Sequence, residues 1–201
     1  MTALAQATTS SFTSAPLWYA TRSTAIVAFV LMTASFALGI AATQRNLATP
    51  GWPRFATQQL HRNVALLSAV ALVAHVITTI VDSYVNVGWL SLLVPGTSHY
   101  RTMSVGVGTV AFDLIVLVIV TSLLKDRLSP RVWRWLHRTV YLAWPLSFLH
   151  FINTGTDAAH HRWGLWLAVG SLIVVVAAVI ARLAARNLPA GPLRSMTAGI
   201  R

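Results

Sequence analysis

The chain has no cysteine and no glutamate, and only 9% of its 201 residues are charged. Without cysteine there are no disulfides, thiolate metal sites or iron–sulfur clusters. A soluble domain carries about a quarter charged residues, so this composition excludes an ordinary soluble domain. The first sixteen residues hold no charged side chain and so lack the basic start of a secretory signal. Residues 1–16 read as a retained, disordered tail. No G-x-G-x-x-G stretch opens a βαβ unit, which excludes a dinucleotide-binding domain within these residues. Gly106 and Gly108 instead lie in an apolar block and read as packing residues.

The chain is rich in apolar blocks that can cross a bilayer, which takes about 20 residues per helix. Five such spans are expected, at about 20–41, 61–81, 104–124, 133–153 and 163–185. Pro50-Gly51-Trp52-Pro53 and Ser129-Pro130 break the chain between spans. The expected fold is all-α, a polytopic membrane helical bundle of about five transmembrane helices. One domain, 17–187, is followed by a C-terminal tail at 188–201. Residues 84–95 are apolar but too short to cross, and read as a loop lying on the membrane surface, with a re-entrant or spanning element as the alternative.

The net charge of +11 comes from basic residues at the ends of apolar blocks, which fits membrane loops and not a nucleic-acid face. Arg45, Arg54, Lys125, Arg127, Arg131, Arg134, Arg182, Arg186, Arg194 and Arg201 fall on one side, and Arg22, Arg101 and Arg162 on the other. The positive-inside rule then puts the N-terminus outside and the C-terminus in the cytoplasm, in a plasma membrane. Trp52, Trp133 and Trp135 fall at the inner interface, and Trp18, Trp89, Trp163 and Trp166 at the outer one.

The second and fourth spans are thereby parallel, and each carries two histidines. His61 and His75 lie about 21 Å apart along a helix axis, and His137 and His150 about 19.5 Å. Two levels result, each with two imidazoles facing across a gap between helices. Two neutral imidazoles on opposite sides of an iron macrocycle make a bis-histidine heme. The 14-residue step from His61 to His75 returns to within about 40° of one helix face, whereas the 13-residue step from His137 to His150 misses by about 140°. Pro145 lies between the second two, and a proline kink is the expected repair. A proton relay and plain interhelical hydrogen bonding are alternatives at this point.

The spacing H-x13-H on one helix and H-x12-H on the next but one resembles the ferric reductase-like transmembrane domain. The pentads Leu60-His61-Arg62-Asn63-Val64 and Leu136-His137-Arg138-Thr139-Val140 add to the likeness, which covers about residues 20–185. The family includes ferric-chelate reductases, the membrane part of NADPH oxidases and the heme-binding membrane subunit of bacterial methionine sulfoxide reductase systems. The resemblance implies one or two heme b groups, with His61 and His137 as iron ligands near the cytoplasmic face and His75 and His150 near the outer face. It implies an oxidoreductase subunit that passes electrons from a cytoplasmic-side donor to an outer-side acceptor. Lacking a dinucleotide-binding region, the chain is expected to need a separate flavoprotein, whose flavin stays on that partner, or a quinol. The acceptor is a ferric chelate, oxygen or a reductase protein. A heme-free transporter or a heme-binding sensor remains the alternative.

Several further residues support this expectation. Arg62 and Arg138 follow the inner histidines and Arg134 precedes His137, so they suit heme propionates as well as interface anchoring. His99, Arg101, His160, His161 and Arg162 form an outer cationic cluster for propionates or an anionic acceptor. Asp113, mid-span, is a candidate to hold a ligating histidine's free N–H, or a serine or threonine across helices. Trp144, Phe148 and Phe151 read as packing around the two levels.

Overall fold

The computed structural model describes residues 2–43, 54–82, 87–155 and 162–187. The linker 44–53, residues 83–86, His160, His161 and the segment 188–201 lie outside them. The described residues form helices and turns, with no strand among them. The α-helices are α1 (Thr2–Thr43), α2 (Arg54–Val81), α3 (Thr102–Leu123), α4 (Pro130–His137), α5 (Val140–Thr154) and α6 (Arg162–Asn187). Short 3-10 turns, Trp89–Leu92 and Lys125–Arg127, flank α3.

Four stretches are each long and apolar enough to cross a membrane: Pro16–Thr43, Phe55–Val81, Thr102–Leu123 and Trp163–Ala185. Their outward faces are apolar. Val70 and Ile77 on α2 and Ile173 and Ile180 on α6 are between 55% and 68% exposed. Such a surface is stable only where lipid replaces water. The protein is an all-α integral membrane bundle. α1 begins at Thr2, so this helix takes in the segment that composition reads as a tail.

α2 packs along α1, α5 packs along α3, and α6 lies against α1 and α5. The core between α1, α5 and α6 is built from Phe29, Phe36, Ile40, Trp144, Phe151, Ala168 and Val175. Phe29 stacks on Phe151 with centroids 4.7 Å apart and planes 7° apart. The Trp144 indole N–H donates to Thr33 Oγ1 at 3.1 Å, which satisfies the one polar atom this large ring buries. Trp144 and Phe151 thus pack as expected.

The expected fourth span is two helices. Ser129 caps α4 through its hydroxyl, and Pro130 fills the first turn, where its missing N–H costs nothing. The chain then turns at Arg138–Thr139. There the bonds tighten to i→i−3: Thr139 N–H to Leu136 O, Tyr141 N–H to Arg138 O and Leu142 N–H to Thr139 O. Pro145 lies inside α5, which runs through it uninterrupted. The tightened bonds place a break in helical phase at Arg138–Thr139. Each 3-10 step turns about 20° further than an α-helical one, which carries His150 toward the face of His137. α5 alone has 15 residues, too few to cross a bilayer at about 20.

Within 84–95, the described part folds back onto α3 as the Trp89–Leu92 turn. Thr109 Oγ1 donates to the Ser91 carbonyl at 2.6 Å, and Ser91 is buried. Gly96 takes φ +89, and an added Cβ on Gly106 would stand 3.1 Å from the Gly96 nitrogen. Glycine at 106 lets the loop lie directly on the helix.

Candidate functional site

The four intramembrane histidines are carried by α2 (His61, His75), α4 (His137) and α5 (His150). The structure brings them together as two pairs. The ring centres of His61 and His137 are 6.3 Å apart with planes at 83°, and those of His75 and His150 are 6.5 Å apart with planes at 67°. The expected pairing at two levels is the observed arrangement.

A hydrogen bond holds each ring through Nδ1. His61 Nδ1–H donates to the Ser35 carbonyl at 2.9 Å, and His75 Nδ1–H to the Thr21 carbonyl at 3.0 Å. His150 Nδ1–H donates to the Ser104 carbonyl at 2.8 Å. The Ser122 hydroxyl lies 3.4 Å from His137 Nδ1. A carbonyl accepts only from a protonated nitrogen, so His61, His75 and His150 keep Nε2 as the unprotonated, electron-donating nitrogen. This is the tautomer a metal-bound histidine has when its other N–H is held by a carbonyl.

Two of the seats share a sequence pattern. In Ser35-Phe36-Ala37-Leu38-Gly39 the serine carbonyl takes His61 Nδ1–H, and the glycine lies under the same ring. An added Cβ on Gly39 would stand 3.1 Å from His61 Cε1. In Ser104-Val105-Gly106-Val107-Gly108 the same roles fall to His150, with the Cβ 2.4 Å from its Nδ1. Serine and glycine four apart share a helix face, so carbonyl and bare backbone meet one ring. Sequence reading missed Thr21, Ser35, Gly39, Ser104 and Ser122, and it read Gly108 as a packing residue without its partner His150. A repeated small residue, three others, then a second small residue was the signal available.

Metal coordination by two opposed imidazoles sets a distance that can be compared. With metal–nitrogen bonds of about 2.0 Å and ring radii of about 1.15 Å, the ring centres fall about 6.3 Å apart. A direct N–H···N bond would bring them to about 5.2 Å. The observed pairs match the first spacing. Among the described residues no third His, Asp or Glu completes a metal-binding cluster. A bare zinc or copper ion seeks more protein ligands than two. An iron porphyrin brings four nitrogens of its own and asks the protein only for two axial ones, so these residues fit it.

A cavity of about 270 Å³ lies at the His75–His150 level, bounded also by Thr21, Arg22, Phe112 and Thr154. Arg22 stacks over the Trp18 ring at 3.9 Å. At the other level the Trp133 ring stacks on His137 at 5.1 Å and 24°. Arg62, Arg134 and Arg138 are exposed. His99 and Arg101 are exposed on the loop before α3, where Arg101 Nη1 donates to the Asn153 carbonyl at the end of α5. Asp113 is half-buried in α3, and the histidine Nδ1 atoms find other partners than its carboxylate.

Residues 24–148 match the family described as Ferric reductase like transmembrane component, a stretch that includes His61, His75 and His137. Neither a curated protein nor a solved structure matches the chain. With more than half its length matched and its apolar helices folded as a membrane bundle, the chain belongs to the ferric reductase-like transmembrane family.

Proposed function

We propose that this protein is a heme b transmembrane electron carrier, an oxidoreductase subunit that takes electrons from a cytoplasmic-side donor and delivers them to an outer-side acceptor. The observation that carries the reading is the pair of facing imidazole sets, 6.3 and 6.5 Å between ring centres, each ring held through Nδ1. Bound heme iron supplies the one-electron chemistry. His61 with His137, and His75 with His150, are the axial ligands, and α1 and α3 fix their orientation.

The two levels lie about 21 Å apart along α2, which spreads the sites across most of the hydrocarbon layer. The aromatic core packed beside them keeps water out and favours an uncharged, apolar surround. Arg62 and Arg138 follow the inner histidines and supply cations for propionates at the inner surface. In this reading the electrons arrive from a flavin or a quinol on the cytoplasmic side. A ferric chelate, oxygen or a periplasmic reductase takes them at the outer side.

The visible spectrum of the purified protein tests this. The expected result is a heme b spectrum that sharpens on dithionite reduction and reverts with an acceptor. Alanine at His61 and His137, or at His75 and His150, removes part of the heme, and alanine at all four removes the rest. A colourless protein from heme-replete cells, or an unchanged spectrum in the fourfold variant, overturns the reading.

A further inference from the structure

The histidines meet one face of α3, through Ser104, Gly108 and Ser122. At 100° per residue, Asp113 points about 140° to 180° away from those three. The chain itself covers the first part of Asp113's face, where Thr109 bonds to Ser91 and Gly106 lies against Gly96. Beyond Asp113 that cover is gone. Val116, Leu117 and Val120, with Leu124 at the helix end, are between 37% and 45% exposed. Asp113 itself lies about 16 Å from the start of a helix about 33 Å long, near the middle of the bilayer.

Hydroxyls in these spans bond back to a carbonyl of their own helix, as Thr24, Thr33, Thr78, Thr79 and Thr121 do. A carboxylate only accepts, and a helix interior has no free N–H to offer it. Among the described residues Asp113 has no hydrogen-bonding or ionic partner. An unpartnered carboxyl at this depth is among the costliest groups that a lipid-facing surface can carry. On α2 and α6 the exposed mid-span residues, Val70, Val73, Ile173 and Val176 among them, are aliphatic. Those faces ask only for lipid.

We infer that the Asp113 face of α3 is the contact between two copies of this chain, with the two Asp113 carboxyls bonded to each other across a two-fold axis along the membrane normal. All copies cross the membrane in the same sense, so two α3 helices set face to face run parallel and hold both aspartates at one depth. Symmetry thus supplies the missing partner from the chain itself. Two carboxyls that share a proton make one strong O–H···O bond. Asp113, Leu117, Val120 and Leu124 are spaced four, three and four apart, the seam of a left-handed parallel helix pair in which one polar residue fixes the register. Apolar side chains alone drive little association in lipid, whereas a polar pair does. The histidines lie on the opposite face, so this contact stands whatever they bind.

The chain has no cysteine, so single cysteines in the full-length protein report the contact in cell membranes. Val120→Cys is expected to form a disulfide-linked dimer on mild oxidation, and Ile173→Cys on α6 to stay monomeric. Adding Asp113→Leu to Val120→Cys lowers the dimer yield about tenfold. Adding Asp113→Asn instead keeps it, because an amide both donates and accepts. Val120→Cys alone retains Asp113 and tests the contact even where Asp113→Leu folds poorly. No dimer from Val120→Cys, as much from Ile173→Cys, or a yield unmoved by Asp113→Leu overturns the inference. So does a single copy per particle when the wild type is weighed in lipid nanodiscs, or a different membrane protein held there through Asp113.

Discussion

Gly39 and Gly108 lie beneath histidine rings, but their tolerances differ. A Cβ at 39 would meet His61 Cε1 at 3.1 Å, a contact that a small ring shift relieves. At 108 it would meet His150 Nδ1 at 2.4 Å, so the ring and its bond to the Ser104 carbonyl must move. Gly108→Ala is therefore expected to weaken heme binding at the His75–His150 level by 10–100-fold, the usual cost of disturbing a ligand's supporting shell. Gly39→Ala should cost the other level less than about tenfold. Heme-to-polypeptide ratio and redox titration of the two variants check this. Asp113→Asn is expected to leave both levels intact, because serine and threonine oxygens hold the imidazoles. At this scale the paired histidines were legible and the groups that hold their rings were not. A histidine in an apolar run stands out against its surroundings, whereas a backbone carbonyl is present at every residue. Only folding decides that Thr21, Ser35 and Ser104 are the ones used.

The α4–α5 break shows how local geometry sets the register of a whole element. On one straight helix, thirteen residues from His137 would point His150 about 140° away. Tightened bonds around Arg138–Thr139 reduce that mismatch. The expected consequence is a contrast between two changes in the same segment. Inserting one alanine between Arg138 and Thr139 turns α5 by about 100° and advances it about 1.5 Å, which separates His150 from His75 and removes heme from that level. Pro145→Ala should keep both levels, since α5 already runs through position 145. Pyridine hemochrome assay of heme per polypeptide distinguishes the two. The helix start at Ser129-Pro130 could be read from sequence, because a capping serine and a first-turn proline act locally. The break could not, because Arg138 and Thr139 are ordinary helix residues. Both α4 and α5 pack on α3, a tertiary contact that local sequence does not display.

Across the whole molecule, the proposed electron path requires a fixed orientation, and the absence of cysteine makes that orientation measurable. In the orientation expected from the basic excess at Arg45, Arg54, Lys125, Arg127, Arg131 and Arg134, their side faces the cytoplasm. A single cysteine at Asp126 should then react with an impermeant maleimide only after the membrane is opened, and one at His99 should react in intact cells. The same asymmetry decides what the two histidine levels do. With the protein reconstituted in one orientation, a donor on the Asp126 side should reduce a ferric chelate trapped on the His99 side. Alanine at His75 and His150 removes the outer level and leaves His61 with His137 in place. Reduction of the remaining heme by the donor should persist, while chelate reduction falls to that of protein-free vesicles. Alanine at His61 and His137 should instead block entry, so that the outer heme stays oxidised when donor is added. If both double variants retained transfer, electrons would not be passing through the two levels in series. The vertical separation of the pairs would then serve packing alone.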